Sequence, residues 1–522
     1  MRSQKRNSMF IKALTLTVAI MLTVIAAGCN IGPKKTGQQA TEKTDEPQPT
    51  ESATDELQPT QSATDEPQPT AVIDRNMPDD IDISGDISFM YIDLGMVEEM
   101  PGAIKAVVDA FQKKYPNVNV KVSNEGSART NIEARISSGD IGDVFWCDPG
   151  SIHAYHNTLD VLLPLDSYIS AYNIDLGNVY PGALEACKTD GSLYMVPVYA
   201  QEMVMVYNKT LLANAGIEWD NSKACSWDEF KNVCRQLTVI NKEGVLTQSG
   251  LFTTLQTDTS WQLFLDGFGG EWIDYENHRV DFVNDDKVMT GIRELVSAIQ
   301  EGWLYSTDLS YLNYRGRSEQ VFNGTQESLL QNAAFVTVGP LEVVKMFGGI
   351  YDSLGIDWDI CPFPALPTHK VYIETSGIAV YNQTKNPEAA AAFALFFLTP
   401  EGQRAFYSQS FKAVPSLKSL ATEDFWRNGD EWTGKNMNAL VSYPDNTASS
   451  YMFTRIPVSI ASMNVYDFMS AVIRVADGRS DLVTAMTNLQ DELNRKLIWS
   501  SKIVIPFVLF ALSNPAILDW FS

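Results

Sequence analysis

The sequence predicts an α/β fold divided into two or more lobes. From residue 87 onward, segments with the two-residue periodicity of strands alternate with segments that have the periodicity of helices. The chain has 522 residues, which is more than one hydrophobic core sustains, so two or more lobes are expected. Apolar residues make up 45% of the chain and aromatic residues 11%, which is typical of a globular protein.

The charge and the cysteine content narrow the class of protein. The chain has 64 acidic and 39 basic side chains and a net charge of −25, which argues against a nucleic-acid ligand, because phosphates require a basic surface. Beyond Cys29 the cysteines are odd in number and sparse, so they predict no disulfide framework. We expect them to be small buried apolar side chains, at Cys147, Cys187, Cys225, Cys234 and Cys361.

The N-terminus has the pattern of a secretory signal peptide. Basic residues precede the apolar run ALTLTVAIMLTVIAAGC, which ends in small residues before Cys29. This ending resembles a bacterial lipobox, so residues 1–28 are expected to be removed and Cys29 to carry lipid. The protein would then be anchored to the extracellular face of the cell membrane. A transmembrane anchor is the alternative, although the run is short for a spanning helix.

Residues 29–86 are predicted to be a disordered linker. They contain a ten-residue repeat, TEKTDEPQPT, ESATDELQPT and QSATDEPQPT, which cannot bury enough apolar surface to fold. The segment is interpreted as a stalk, or as a flexible tail without a role. Its end, DDIDISGDI, resembles the start of a calcium loop, but Tyr91 replaces the glutamate expected at the twelfth position. A linker is therefore favoured, and we expect no metal.

The folded region begins with a β-α-β unit. The strand ISFMYI is followed by apolar residues at helical spacing, a stop at Pro116, and the alternating valines of a second strand. Further predicted elements are a helix over 128–137, a buried strand over 143–146, a helix over 226–237 with a capping box of Ser226 and Glu229, two helices within 386–406, and an amphipathic helix around 482–497.

Seven segments together resemble the extracellular solute-binding proteins of family 1, the receptor subunits of ABC importers. In order they are FQKKYPNVNVKV, SSGDIGDVFW, LLPLDSYI, DGSLYMVPVYAQEMVMVYNKTLLANAGI, SWDEF, FVTVGP and SGIAVYNQTKNPEAAAAFALFFLTPEGQ. The resemblance runs from about Ile87 to about Leu497. It implies a two-lobed periplasmic-binding-protein-like fold, with a ligand cleft between lobes joined by crossover hinge segments.

The resemblance also implies lobe boundaries. Lobe 1 is expected to comprise residues 87–200 with 371–418, and lobe 2 residues 201–370 with 419–497. Residues 498–522 form an apolar extension of unknown role, because the family does not account for them. The extension is short for a membrane span and contains two prolines. Docking on lobe 2, a membrane span and a shifted reading frame stay open.

Candidate ligand contacts follow from the resemblance and from the ends of predicted strands. Gln201 and Glu202 interrupt an apolar stretch at the first hinge crossing, and we expect both to face the cleft. Trp146 and Asp148 end a predicted strand, where open α/β sheets bind ligands, although Trp146 could instead be core. Trp261 could likewise be the first buried residue of its helix. The remaining candidates are Asp258, Asp93, Glu374 and Tyr451.

These residues suit a sugar, which needs flat apolar faces and a few oriented polar groups. We therefore expect a monomeric substrate-binding lipoprotein that captures a sugar, taken to be an oligosaccharide, by hinge closure and delivers it to an ABC permease. No cofactor and no catalysis are expected. A ligand-presenting or sensing lipoprotein of the same fold is one alternative. An extracellular carbohydrate-active enzyme is another, because the separation of paired carboxylates is not visible in a sequence.

Overall fold

The computed structural model describes most of the chain from residue 77 to residue 495, and all of the described residues belong to the compact unit Ala71–Ser522. The described ranges are 77–79, 81–93, 99–126, 129–253, 258–274, 279–306, 325–339, 341–408, 413–427, 429–449 and 458–495, with only the backbone described at 129, 258–260, 342 and 458–466. The signal segment, Cys29, the repeats, Tyr451 and the apolar extension lie outside these residues.

Eighteen strands occur in the described part of the chain. They are β1 Gly85–Tyr91, β2 Val118–Asn124, β3 Val144–Cys147, β4 Lys188–Thr189, β5 Ser192–Leu193, β6 Met195–Pro197, β7 Gln201–Glu202, β8 Val204–Asn208, β9 Val239–Ile240, β10 Leu246–Phe252, β11 Ile273–Asp274, β12 Arg279–Val280, β13 Leu304–Tyr305, β14 Ala333–Val338, β15 Trp358–Pro362, β16 Val371–Glu374, β17 Gly377–Val380 and β18 Thr447–Ala448.

The helices lie between these strands and after them. They are α1 Glu99–Lys114, α2 Arg129–Ser138, α3 Pro149–Asn157, α4 Asp166–Ala171, α5 Pro181–Ala186, α6 Lys209–Asn214, α7 Trp227–Leu237, α8 Asp258–Gly267, α9 Asp286–Glu301, α10 Gln326–Asn332, α11 Leu341–Ser353, α12 Pro387–Phe396, α13 Pro400–Tyr407, α14 Lys418–Ala421, α15 Val458–Ala476 and α16 over 482–495, with 3₁₀ turns at Leu176–Asn178, Asp430–Trp432 and Met437–Val441.

Two central sheets form the cores of two lobes. The first sheet has the strand order β2-β1-β3-β17-β6, and the second has the order β13-β10-β14-β8-β15, with β9 added beside β10. Strands β1, β2 and β3 are mutually parallel, and so are β10, β13 and β14. The expected α/β architecture with two lobes and largely parallel sheets is confirmed.

Each of the two central sheets contains one strand that is antiparallel to both of its neighbours. Strand β17 is antiparallel to both β3 and β6, and β8 is antiparallel to both β14 and β15. Each of these two strands follows a segment that has just crossed between the sheets. In each sheet the antiparallel strand is therefore the one that the chain forms directly after it crosses from the other lobe.

A third, small sheet lies where the chain crosses between the lobes. It has the order β18-β16-β7, so it joins three segments that are far apart in the sequence. Strand β16 pairs with β7 through Ile373 and Glu202, and with β18 in parallel. The Met203 N–H donates to the Tyr372 carbonyl at 2.9 Å. We refer to these three strands as the hinge sheet.

Aromatic side chains fill both cores. In the first lobe the Phe393 ring of α12 lies 5.3 Å from Phe89 of β1 and 5.1 Å from Phe111 of α1, measured between centroids. In the second lobe Phe230 of α7 packs 5.2 Å from Phe335 of β14. Each of these contacts joins a helix to a strand or to another helix of the same lobe.

Most local predictions are confirmed. Helix α7 begins where the capping box predicts it, and the Ser226 hydroxyl accepts the Glu229 N–H at 3.2 Å. Four of the five described cysteines are buried and Cys225 is partly buried, and all five are free thiols. Within the described residues, none of the helices has the length and apolar character needed to span a membrane.

Candidate functional site

A buried chain of polar groups lies at the carboxyl end of β3. Asp148 follows this strand and is the N-cap residue of α3, and its Oδ1 accepts the Ser376 hydroxyl at 2.8 Å. The Ser376 Oγ in turn lies 3.2 Å from the donating Tyr199 hydroxyl. Ser376 precedes β17 and Tyr199 precedes β7, so this chain joins the end of a first-lobe strand to two crossover segments.

A second polar group lies at the carboxyl end of β14 in the other lobe. The Gln201 Oε1 accepts the backbone N–H of Leu341, the first residue of α11, at 3.0 Å. Glu374 is the cross-strand neighbour of Gln201 in the hinge sheet. A Cβ built on Gly339 would lie 3.1 Å from the Glu374 Oε2, so this carboxylate lies directly against the end of β14. The structure thus brings together Gln201 and Glu374.

Glu202 does not match the expectation that it faces an open cleft. Its residue is 0% exposed, and both carboxyl oxygens lie 3.0 Å from the donating Tyr443 N–H. Burial raises the pKa of Glu202 to about 8, and hydrogen bonds from the backbone of Tyr443 and Ser442 oppose that rise. Successive residues of a strand point to opposite faces, so Gln201 reaches α11 while Glu202 reaches the segment before β18.

Trp146 lies inside the first sheet. It belongs to β3, pairs with Ile378 of β17, and is 1% exposed. Its indole Nε1 is buried and has no hydrogen-bond partner among the described residues. An unpaired buried N–H is unfavourable, which makes this group available to an acceptor that enters beside it. Ligand contact by Trp146 stays a prediction, since its burial also fits the core role.

Trp261 is a core residue of the second lobe. It is fully buried, and its ring stacks on Phe468 of α15 at 4.2 Å between centroids. The Trp272 ring lies 5.4 Å from the Trp261 ring, measured between centroids. Ligand contact by Trp261 stays a prediction, and its burial also fits the alternative of a buried residue at the start of its helix.

The other candidates are only partly described. Asp93 follows β1, is buried, and donates its backbone N–H to the Gly126 carbonyl at 3.0 Å. Its charge adds to the burial that raises the pKa of Tyr91. Asp258 is the first residue of α8, but its side chain is outside the described set, as is all of Tyr451. Their contacts stay predictions.

Asp266 is a partly buried carboxyl that the sequence reasoning missed. It lies near the end of α8, and its oxygens accept the Tyr372 hydroxyl of β16 and, at 3.1 Å, the Trp272 indole N–H. Burial is the main cause that raises the pKa of Asp266 to about 7. The only signal in the sequence is an aspartate between Leu265 and Gly267 in an otherwise apolar helix end.

The histidines and acidic groups form no metal centre in the part of the chain that the structure describes. No group of three His, Cys, Asp or Glu residues there could hold an ion. The His156 ring instead lies 4.2 Å from the Tyr194 ring, and its Nε2 is 3.5 Å from the Asp190 carboxylate. Its neighbour His153 contacts the Asn157 amide. Both imidazoles therefore have local structural contacts.

The arrangement is suited to binding, because polar groups from both lobes converge on the hinge sheet. Asp148 comes from the first lobe, Gln201 reaches the second, and Glu374 pairs with Gln201 in the hinge sheet. Two of these three are carboxylates, which accept hydrogen bonds from hydroxyl groups and repel anions. A neutral ligand rich in hydroxyl groups would match such a site.

Comparisons with known proteins agree with this architecture. The family model described as bacterial extracellular solute-binding protein matches residues 97–404. The multiple sugar-binding protein of Streptococcus mutans is 26% identical over 148 residues, which are 27% of this chain and 31% of that relative. The match to this curated relative thus spans less than a third of its length.

Solved structures show the same fold over most of the chain. The sugar-binding protein MalE from Xanthomonas citri is 18% identical and superposes with a TM-score of 0.63, covering 80% of this chain and 99% of that one. The cyclic alpha-maltosyl-1,6-maltose binding protein from Arthrobacter globiformis is 17% identical with a TM-score of 0.60, covering 79% and 99%. Because the family model matches more than half of the sequence, the chain belongs to the bacterial extracellular solute-binding protein family.

Proposed function

We propose that this protein captures a sugar, specifically an oligosaccharide, between its two lobes and delivers it to the permease of an ABC importer. The observation that carries the proposal is the convergence of Asp148, Gln201 and Glu374 on the hinge sheet, at the carboxyl ends of strands from both lobes. Solved proteins of the same fold that are named for sugar ligands support this ligand class.

The mechanism is closure of the lobes about the hinge sheet. Lobe 1 comprises residues 87–200 with 371–418, and lobe 2 residues 201–370 with 419–497. A ligand that contacts groups of both lobes stabilises the closed state by its higher affinity for that state. The closed form then docks on the permease, and no covalent chemistry is needed.

The charge of the site favours a neutral ligand. Asp148 and Glu374 are carboxylates beside the crossovers, and the whole chain carries a net charge of −25. A phosphate or carboxylate ligand would be repelled by both groups. Sugar hydroxyls would instead donate hydrogen bonds to them, and the buried Trp146 N–H would be a donor to a sugar oxygen.

The protein acts at the extracellular face of the membrane as a lipid-anchored monomer. This part of the proposal rests on the sequence, since the apolar run that ends at Cys29 has the features of a lipoprotein signal. Lipid on Cys29 contributes ~0.8 kcal/mol of membrane affinity for each buried methylene. Mass spectrometry of the mature N-terminus, with Cys29→Ser as the comparison, tests the attachment.

The experiment that tests the ligand is a thermal shift panel of mono- and oligosaccharides, amino acids, peptides and phosphate. A ligand present at a hundred times its dissociation constant adds ~2.7 kcal/mol of stability, which gives a clear shift. We expect one class of oligosaccharide to stabilise the chain, and Asp148→Asn to weaken that effect. The matched control is Asp228→Asn, because Asp228 is exposed on α7. Stabilisation by phosphate or amino acids, with none by sugars, would contradict the proposal.

A further inference from the structure

The chain enters the first lobe through a short segment that lies against the protein. The sequence predicts a linker that extends to residue 86, but Met77 is 1% exposed, Ile83 is buried, and Ile81 packs partly buried against the core. The linker prediction is wrong for these residues because their apolar side chains, unlike those of the repeats, have surface to bury. We refer to residues 77–79 and 81–83 as the anchor segment.

Polar contacts hold the anchor segment at the end of helix α1. The hydroxyl of Tyr115, the residue after α1, donates to the Pro78 carbonyl at 2.8 Å. The Lys114 ammonium contacts the Asp79 carboxylate and also lies 3.7 Å from the carboxylate of Glu401 on α13. Helices α1 and α13 both belong to the first lobe. The anchor segment is therefore held by groups of this lobe.

These contacts lie at the amino ends of the first-lobe strands. The anchor segment leads into β1, whose first residue, Gly85, donates its N–H to the Asn117 carbonyl just before β2, at 3.0 Å. Strands β1, β2 and β3 are parallel, and Asp148 follows the carboxyl end of β3. The anchor segment and the candidate ligand group Asp148 therefore lie at opposite ends of the first sheet.

We propose that the end of the stalk docks on the first lobe through the anchor segment, so that the tether is fastened to one lobe only and the second lobe moves freely. A pull along the tether then enters the first lobe at Met77, away from the cleft, and closure of the lobes leaves the attachment unchanged. The role in a tethered protein rests on the proposed lipid at Cys29. The docking itself requires neither the lipid nor a ligand.

Oxidation of methionine in the full chain without ligand tests the docking. Dilute hydrogen peroxide converts an accessible thioether to its sulfoxide, so the rate at each methionine, read by peptide mass spectrometry, reports its exposure. Met346 on α11 is 44% exposed and is the fast reference, and Met100 in α1 is the buried one. We expect Met77 to react at least about tenfold more slowly than Met346, because it must first undock. Equal rates at Met77 and Met346 would overturn the proposal.

A tyrosine variant separates docking of the anchor segment from simple burial of Met77. Tyr115→Phe removes the hydroxyl that holds the Pro78 carbonyl but keeps the ring. The rate at Met77 should rise by about two- to tenfold and the rate at Met100 should not change. Tyr168→Phe is the matched control, because the Tyr168 ring packs on Tyr172 in the same lobe, and it should leave both rates unchanged. The same rate at Met77 in Tyr115→Phe and in the parent would also overturn the proposal.

A ligand distinguishes attachment to one lobe from attachment across the cleft. The oligosaccharide that gives the largest thermal shift is added at saturation, and the rate at Met77 should stay the same, since the partners of the anchor segment belong to the first lobe. A change of more than about tenfold, as expected if undocking were coupled to closure, would contradict attachment to one lobe. If no sugar binds, the proposed function fails, and the rates without ligand still decide on the docking.

Discussion

Replacing Glu202 by glutamine should remove a large part of the pH dependence of folding stability. Glu202 is fully buried, and no described Lys, Arg or His forms an ion pair with it. The ionised form of Glu202 is therefore stabilised by hydrogen bonds from the backbone N–H groups of Tyr443 and Ser442. Burial dominates over these bonds, so the folded protein holds the proton more tightly than the unfolded chain does.

The magnitude follows from the two pKa values. The pKa of Glu202 is about 8 in the folded state, against ~4.3 for an unperturbed glutamate. Because the folded-state value is the higher one, the contribution to stability is complete below the unfolded pKa and is lost as the pH rises through 8. Between pH 6 and pH 8 this loss amounts to ~2 kcal/mol.

Urea unfolding at pH 6, 7 and 8 measures this effect. The free energy of unfolding should fall with pH in the parent chain, and the difference between the parent and Glu202→Gln should change by ~2 kcal/mol across the series. The amide still accepts one N–H, and its weaker bond costs ~1 kcal/mol at every pH. Glu243→Gln, on an exposed turn, is the matched control and should follow the parent. Parallel curves for Glu202→Gln and the parent would refute the reasoning.

Three further substitutions test the packing. Trp261→Ala should lower the free energy of unfolding by ~3–5 kcal/mol in urea melts, because it leaves a cavity beside Phe468. If Trp261 has only this core role, the folded fraction of the variant should keep the ligand affinity of the parent chain. Gly182→Ala should destabilise by ~1–3 kcal/mol in the same assay, since the added Cβ would lie 2.7 Å from the Ala448 backbone, and no change would contradict this close packing. Ser226→Ala should cost ~1 kcal/mol through loss of its N-cap, a loss that Ser226→Asp would largely avoid.

Features that depend on neighbouring residues could be predicted from the sequence. The N-cap at Ser226 needs only the residues of one helical turn, and the alternation of strands and helices needs only local periodicity. The interruption of the apolar run at Gln201 and Glu202 is visible in the sequence, whereas its position at a hinge crossing is what the family resemblance implies. The structure indeed assigns them to a separate strand between β6 and β8.

Features that depend on distant partners could not be predicted in this way. The side of the strand to which Glu202 points is decided by Tyr443, which is 241 residues away. Trp261 is a core residue because Phe468 stacks on it from α15, and no local pattern distinguishes such a tryptophan from one that lines a cleft. The contact of Asp266 could not be predicted for the same reason, since its partner Tyr372 is 106 residues away.

Two carboxyl groups, Glu202 and Asp266, explain how a hinge can be both cohesive and movable. Glu202 ties β7 to the segment before β18, and Asp266 ties β16 to the second lobe, so each holds a crossover through hydrogen bonds. A large apolar contact there would resist motion in proportion to its area, whereas a single hydrogen bond contributes only ~0.5–1.5 kcal/mol. Such bonds can be exchanged during closure, so the ligand's preference for the closed state can decide the equilibrium.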